Sequence, residues 1–136
     1  MATVELRFSA LPEHVRTARL VAAAVARRAG VDESVLDEVR LAVGEACSRA
    51  VGLQQRSGLT GAVRVALTDQ EKRFLVEVGD GAGEHSDLAA SDAVGGSGDG
   101  ADDTLGLAVI TGLVEDLEVS RDDEGGLIRM SWPVTG

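Results

Sequence analysis

The chain has 136 residues and a formal net charge of −10, so nucleic acid and anionic membranes, both polyanionic, are disfavoured as main partners. A basic protein partner remains compatible with this charge. Hydrophobic residues make up 44% of the chain and charged residues 26%, which supports a buried core and excludes disorder along the whole length. The single cysteine, Cys47, excludes an internal disulfide and a multi-cysteine metal site, and we expect it to be buried in a helix.

The N-terminal sequence does not predict a secretory signal peptide. The stretch MATVELRFSALPEH has no apolar segment of the kind found in signal peptides. The longest apolar run, LVAAAVA, is too short to span a bilayer. We therefore expect a soluble cytoplasmic protein without a membrane partner.

The first part of the sequence predicts one strand and two helices. Apolar and polar residues alternate from Val4 to Phe8, as in a strand. A helix follows with Pro12 in its first turn and Gly30 at its end, and Asp32 can cap a second helix that extends to about Leu53. Apolar residues at helical spacing mark the inner faces: Val15, Ala18, Val21, Ala22 and Val25, then Val35, Val39, Ala42, Val43, Ala46 and Ala50.

The remaining sequence predicts two hairpins separated by a long polar segment. After a turn region, QQRSGLTG, the stretches AVRVALTD and RFLVEVG alternate around QEK, as in an antiparallel hairpin. Residues 80–103 are rich in Gly, Asp, Ser and Ala, and so long a loop inside a compact domain is typically functional or disordered. A short helix, TLGLAVITGLVE, and a closing hairpin, DLEVSRD with GLIRMSWP, complete the chain.

This order of elements predicts an α+β two-layer sandwich with helices on one face of a mostly antiparallel sheet. Three motifs accompany it: VGEACSRAV at 43–51, VEVGDGAGEH at 76–85 and TLGLAVI at 104–110. Together they resemble the GHKL ATPase family, which has the Bergerat fold, and within it the bacterial anti-sigma factors that double as serine kinases. The resemblance covers nearly the whole chain and implies a single anti-sigma regulatory domain over residues 1–136.

The first motif concerns catalysis and metal binding. In the kinase branch the helix carries a Glu that polarises the attacking group, then an Ala, and an Asn that holds Mg²⁺ four residues after the Glu. Glu45 and Ala46 match, which makes Glu45 the catalytic candidate if the protein is a kinase, but Arg49 stands at the Asn position. A guanidinium offers only donors and cannot ligate Mg²⁺. Alternatives are a surface ion pair between Glu45 and Arg49, worth roughly a few tenths of a kcal/mol, or an Arg49 that contacts phosphate.

The second motif resembles Asp-x-Gly-x-Gly, whose Asp accepts a hydrogen bond from adenine and whose glycines let the nucleotide approach. Gly81 and Gly83 match, whereas Gly79 stands at the Asp position and Asp80 comes one residue later. A one-residue slip turns a strand side chain to the other face. We therefore expect Asp80 to replace the missing carboxylate only if the strand contains a bulge. A turn without a ligand is the alternative.

The third motif resembles Gly-x-Gly-Leu at a helix start, where free backbone N–H groups meet the phosphates. Gly106 and Leu107 match, and Thr104, which can instead cap the helix, replaces the first Gly. The resemblance implies ATP or ADP as ligand, and Arg49 argues against Mg²⁺. The nucleotide-binding candidates are Arg49, Asp80, Gly81, Gly83, Thr104, Gly106 and Leu107.

The resemblance leads to competing functions. An anti-sigma-like regulator would bind a sigma factor, or a STAS-type anti-anti-sigma partner, through the first helix and the lid region. A serine kinase would phosphorylate the STAS partner, but phosphoryl transfer depends on metal-assisted charge stabilisation, so Arg49 argues against it. A sensor of another or metal-free nucleotide is a third interpretation. The sequence favours the regulator and leaves a homodimer open.

Overall fold

The computed structural model describes residues 2–56, 58, 61–81, 110–114, 116–122 and 125–134. Residues 110–113 are helical and form the described part of the predicted third helix. The segment 80–103, predicted to be a functional loop, lies outside the described residues except for Asp80 and Gly81. The elements are β1 (Ala2–Ser9), α1 (Glu13–Ala29), α2 (Glu33–Arg56), β2 (Ala62–Asp69), β3 (Arg73–Gly79), β4 (Asp116–Asp122) and β5 (Gly125–Pro133).

The five strands form one sheet in the order β1-β2-β3-β5-β4, and each neighbouring pair is antiparallel. The two predicted hairpins are β2–β3 and β4–β5, and the pairing of β3 with β5 joins them. Because β5 lies antiparallel between them, β3 and β4 run parallel. The connection from β3 to β4 must therefore cross from one end of the sheet to the other.

One face of the sheet packs against the helices, as predicted for an α+β two-layer sandwich. The helix α1 packs on β1 and β2, and α2 packs on β2 and β3. Alternate residues of the central strands are buried on this face, because successive side chains of a strand point to opposite sides. They are Val63, Val65 and Leu67 of β2, Phe74, Val76 and Val78 of β3, and Ile128, Met130 and Trp132 of β5.

The two helices approach each other closely because their contact surface is built from small residues. At Gly44 of α2, the methylene chain of Arg19 from α1 lies where a Cβ would be, with its Cδ only 2.6 Å from that position. The predicted end of α1 and the predicted start of α2 are confirmed: α1 stops at Gly30, which has a left-handed φ of 100°. Asp32 caps α2 by accepting a hydrogen bond from the Ser34 N–H at 2.9 Å.

The predicted end of α2 was three residues too early. Gln54, Gln55 and Arg56 were expected in a turn region but belong to the helix. Glutamine and arginine are good helix formers, and the Gln54 side chain is fully buried, so packing extends the helix. Val21, Val25 and Val35 are only partly buried, but they pack against the core, as the sequence predicted for the inner faces.

The described helices contain no segment that is both long and apolar enough to cross a bilayer. Cys47 is buried in α2, as expected, and this burial raises the pKa of its thiol to about 12. Its thiolate is therefore scarce at neutral pH, which fits a packing role for the side chain.

Candidate functional site

Glu45 and Arg49 lie one turn apart on the same flank of α2, and both are half-buried. Gly44 faces α1, because Arg19 of α1 packs against it. Glu45 and Arg49 lie about a third of a turn around the helix from Gly44, so their side of α2 is turned away from α1. The Nε atom of Arg49 is buried. This flank therefore presents a cation at the position where the resemblance predicts a metal ligand.

Gly79 lies on the sheet face opposite the helices. Phe74, Val76 and Val78 of the same strand are buried toward the helices, and Gly79 falls in the alternate set. A Cβ on Gly79 would lie 3.6 Å from Nη2 of Arg64, its exposed cross-strand neighbour in β2. A carboxylate at position 79 would thus be on the wrong side of the sheet for a site shared with α2. The alignment of Gly79 with the adenine aspartate disagrees with this geometry.

Asp80 continues the ladder between β3 and β5. Its N–H donates to the Gly126 carbonyl at 3.1 Å, and the Gly126 N–H donates to Oδ1 of Asp80 at 3.2 Å. The register runs without an extra residue to the pair Gly79–Leu127, so the bulge on which the role of Asp80 depended is not present in this part of the ladder. Regular alternation alone assigns Asp80 to the helix side. Its role in binding a nucleotide stays a prediction.

Gln54 is a site residue that the sequence interpretation missed. Its side chain is fully buried, its Nε2 donates to the Gly61 carbonyl, and its Oε1 accepts the Gly81 N–H at 2.6 Å. Through these bonds the end of α2 holds the start of β2 and the exit of β3. The sequence spacing could have indicated its burial. Gln54 follows Ala50 by four residues and Cys47 by seven, so it lies on the same apolar face of α2 as these two residues.

The structure therefore gathers Asp80, Gly81 and Gln54 at one end of the sheet, where α2 ends and β3 leaves. Further along the chain, Ile110 and Val114 return to the core and are buried. The remaining candidates lie outside the described residues: Gly83, Thr104, Gly106 and Leu107.

The donor chemistry of α2 does not fit Mg²⁺. This ion prefers oxygen ligands in octahedral geometry, and the guanidinium of Arg49 supplies only N–H donors. Among the residues that the structure describes, no group of three or more His, Cys, Asp or Glu side chains is arranged to hold a metal ion. We therefore assign no chemical step to Mg²⁺ at this helix.

Sequence comparison identifies the family. The profile of the histidine kinase-like ATPase domain matches residues 8–132. The chain belongs to this family. The expected resemblance to the GHKL group is thereby confirmed, and the α+β sandwich with its antiparallel sheet agrees with it.

This histidine kinase-like ATPase domain is also similar to curated proteins named serine-protein kinase RsbW. The protein from Bacillus pumilus (strain SAFR-032) is 29% identical over 127 residues, covering 88% of this chain and 78% of the relative. The proteins from Bacillus licheniformis and Bacillus subtilis (strain 168) are 31% and 32% identical over 77 residues. Each of these two matches covers 57% of this chain and 48% of the relative.

Proposed function

We propose that this histidine kinase-like ATPase domain is a cytoplasmic anti-sigma regulator that works by binding proteins rather than by phosphorylating them. Its partners would be a sigma factor, a STAS-type anti-anti-sigma protein, or both in turn. Arg49 is the observation that carries this proposal, because a half-buried cation replaces the expected metal ligand beside Glu45. Family membership and the RsbW relatives support the regulatory class.

The exposed surface of α1 is the partner-binding surface that we propose. This helix carries four arginines and one acidic residue, Glu13, within a chain whose net charge is −10. Leu20 projects from it with 58% of its surface exposed, four residues after Arg16 and hence on the same strip. An exposed apolar residue surrounded by arginines would fit a partner surface that has an apolar patch bordered by acidic side chains.

The alternative is an active serine kinase of the STAS partner. The retained Glu45 and the names of the RsbW relatives favour it. In that case the γ-phosphoryl group of ATP would pass to a serine hydroxyl of the partner, and Glu45 would polarise that hydroxyl. The Arg49 cation would then have to contribute the charge stabilisation that a metal ion gives in other phosphoryl-transfer enzymes.

A binding experiment tests the partner surface. Each sigma factor and STAS-domain protein of the source organism would be titrated into the purified protein by calorimetry without nucleotide. We expect micromolar or tighter binding to one of them, weakened at least about tenfold by Leu20→Ala. Leu41→Ala is the matched control, because Leu41 is 53% exposed but lies on α2. Equal loss in both variants, or binding to none of the proteins, would contradict the proposal.

A phosphate-transfer experiment separates regulator from kinase. The protein would be incubated with radiolabelled ATP, Mg²⁺ and the STAS protein that it binds. We expect binding without label on the partner. Label that appears on a partner serine and disappears in Glu45→Gln would establish the kinase instead.

A further inference from the structure

Gln54 connects two backbone segments that are far apart in the sequence. Its Nε2 donates to the Gly61 carbonyl just before β2, and its Oε1 accepts the Gly81 N–H just after β3. We infer that Gln54 is a positioning residue that fixes the backbone of Gly81 at the end of β3. The inference rests on the proposed function only in assigning a ligand or partner to the end of the sheet where Gln54 and Gly81 meet.

The two partners of Gln54 fix the orientation of its amide. The Gly61 carbonyl can only accept and the Gly81 N–H can only donate, so a single orientation of the amide satisfies both bonds. An apolar side chain of similar length would keep the packing but lose both restraints. A carboxylate would keep the acceptor for Gly81 but lose the donor to Gly61.

Adjacent residues at the exit of β3 are held by different layers of the fold. Asp80 is bound to Gly126 of β5 through both its N–H and its carboxylate. Gly81 is bound to α2 through Gln54. The backbone therefore turns from the sheet toward α2 between these two residues. Gly81 is thereby tied to the helix layer, which also carries Glu45 and Arg49.

Amide hydrogen exchange tests this role without any ligand. In Gln54→Met we expect the Gly81 amide to exchange about fivefold faster or more, relative to the amides of Val76 and Val78 in β3. The control is Gln55→Met, since the neighbouring Gln55 is exposed and donates to the Ala10 carbonyl instead. An unchanged ratio of Gly81 to strand exchange in Gln54→Met would overturn the inference.

A second variant distinguishes positioning from a merely structural contribution. Gln54→Glu places a charge in a buried position, so it should lower global stability more than Gln54→Met does. It nevertheless retains an acceptor for the Gly81 N–H. We therefore expect Gly81 to be better protected, relative to β3, in the Glu variant than in the Met variant. If Gly81 were less protected in Gln54→Glu than in Gln54→Met, in line with the lower global stability of the Glu variant, a positioning role would be contradicted.

Calorimetry with ATP then connects the position of Gly81 to binding. Where the wild type binds ATP, Gln54→Met should weaken binding about fivefold or more while Gln55→Met leaves it unchanged. Equal affinities in wild type and Gln54→Met would overturn the link between Gly81 and nucleotide. A wild type that binds no ATP would count against the kinase alternative and not against the protein-binding proposal, and the exchange ratio alone would then decide the positioning role.

Discussion

Gly125 lies so close to Asp80 that a Cβ on the glycine would overlap the backbone carbonyl oxygen of the aspartate. The same Cβ would lie 3.2 Å from the Gly81 Cα. Gly125 also has a φ of 152°, a backbone conformation that residues other than glycine rarely adopt. The start of β5 and the exit of β3 are thus packed backbone to backbone. A glycine in the closing hairpin thereby shapes the candidate site.

Substitution of Gly125 by alanine should destabilise the protein by roughly 1–3 kcal/mol, because the clash is with backbone that cannot rotate away. Urea unfolding would measure the loss. The control is Gly112→Ala, since Gly112 is exposed in the helical stretch and a Cβ there would meet no atom within 4 Å. That control should be neutral or stabilising by up to about 1 kcal/mol. Equal stabilities of the two variants would contradict the packing described.

Gly79→Asp should not create or strengthen ATP binding. The new carboxylate would lie on the face opposite the helices and beside the Arg64 guanidinium. Gly79 is itself buried, so a carboxylate there would be partly desolvated, and we expect a loss of stability that pairing with Arg64 only partly offsets. Calorimetry of wild type, Gly79→Asp and Asp80→Asn with ATP would test the assignment. A tenfold gain in affinity for Gly79→Asp would show that a ligand reaches position 79 after all.

Arg49→Asn should make ATP binding depend on Mg²⁺. The change removes a cation and provides a neutral amide oxygen one turn from Glu45. We expect Mg²⁺ to tighten ATP binding about tenfold in this variant, equivalent to ~1.4 kcal/mol, and to have little effect on the wild type. Arg40→Asn controls for charge, because Arg40 lies on the same helix and pairs with Asp37. No effect of Mg²⁺ on Arg49→Asn would show that this flank is no longer a metal position.

The Cys47 thiol should resist alkylation by iodoacetamide at pH 8 in the folded protein, because burial raises its pKa to about 12 and the thiolate is the reactive form. The same shift predicts a pH-dependent stability. The folded pKa exceeds the ordinary value of 9.0, so the contribution is complete below pH 9.0 and is lost as pH rises toward 12. Cys47→Ala should remove this part of the alkaline loss. Rapid labelling of the native protein would contradict the burial.

The regular elements were predictable because each has a clear periodic pattern. Period-two alternation gave β2 and β3 their observed bounds, and Gly30 marked the end of α1. The alignment of Gly79 with the adenine aspartate did not follow the alternation of Phe74, Val76 and Val78, which if continued assigns position 80 to the helix side. The tie between Gln54 and Gly81 could not be predicted, because it joins residues 27 apart through backbone groups that have no sequence signature.

The crossing connection from β3 to β4 has a thermodynamic consequence. It leaves the sheet at Asp80 and Gly81, and it returns with Ile110, which is fully buried in the core. A ligand that contacts both ends of this connection would bind only the folded chain, and mass action would raise the melting temperature. At a ligand concentration of 100 times Kd the free energy of unfolding rises by about 2.7 kcal/mol. A melting-temperature screen of nucleotides and candidate partner proteins would thus detect ligands that prefer the folded chain without an activity assay.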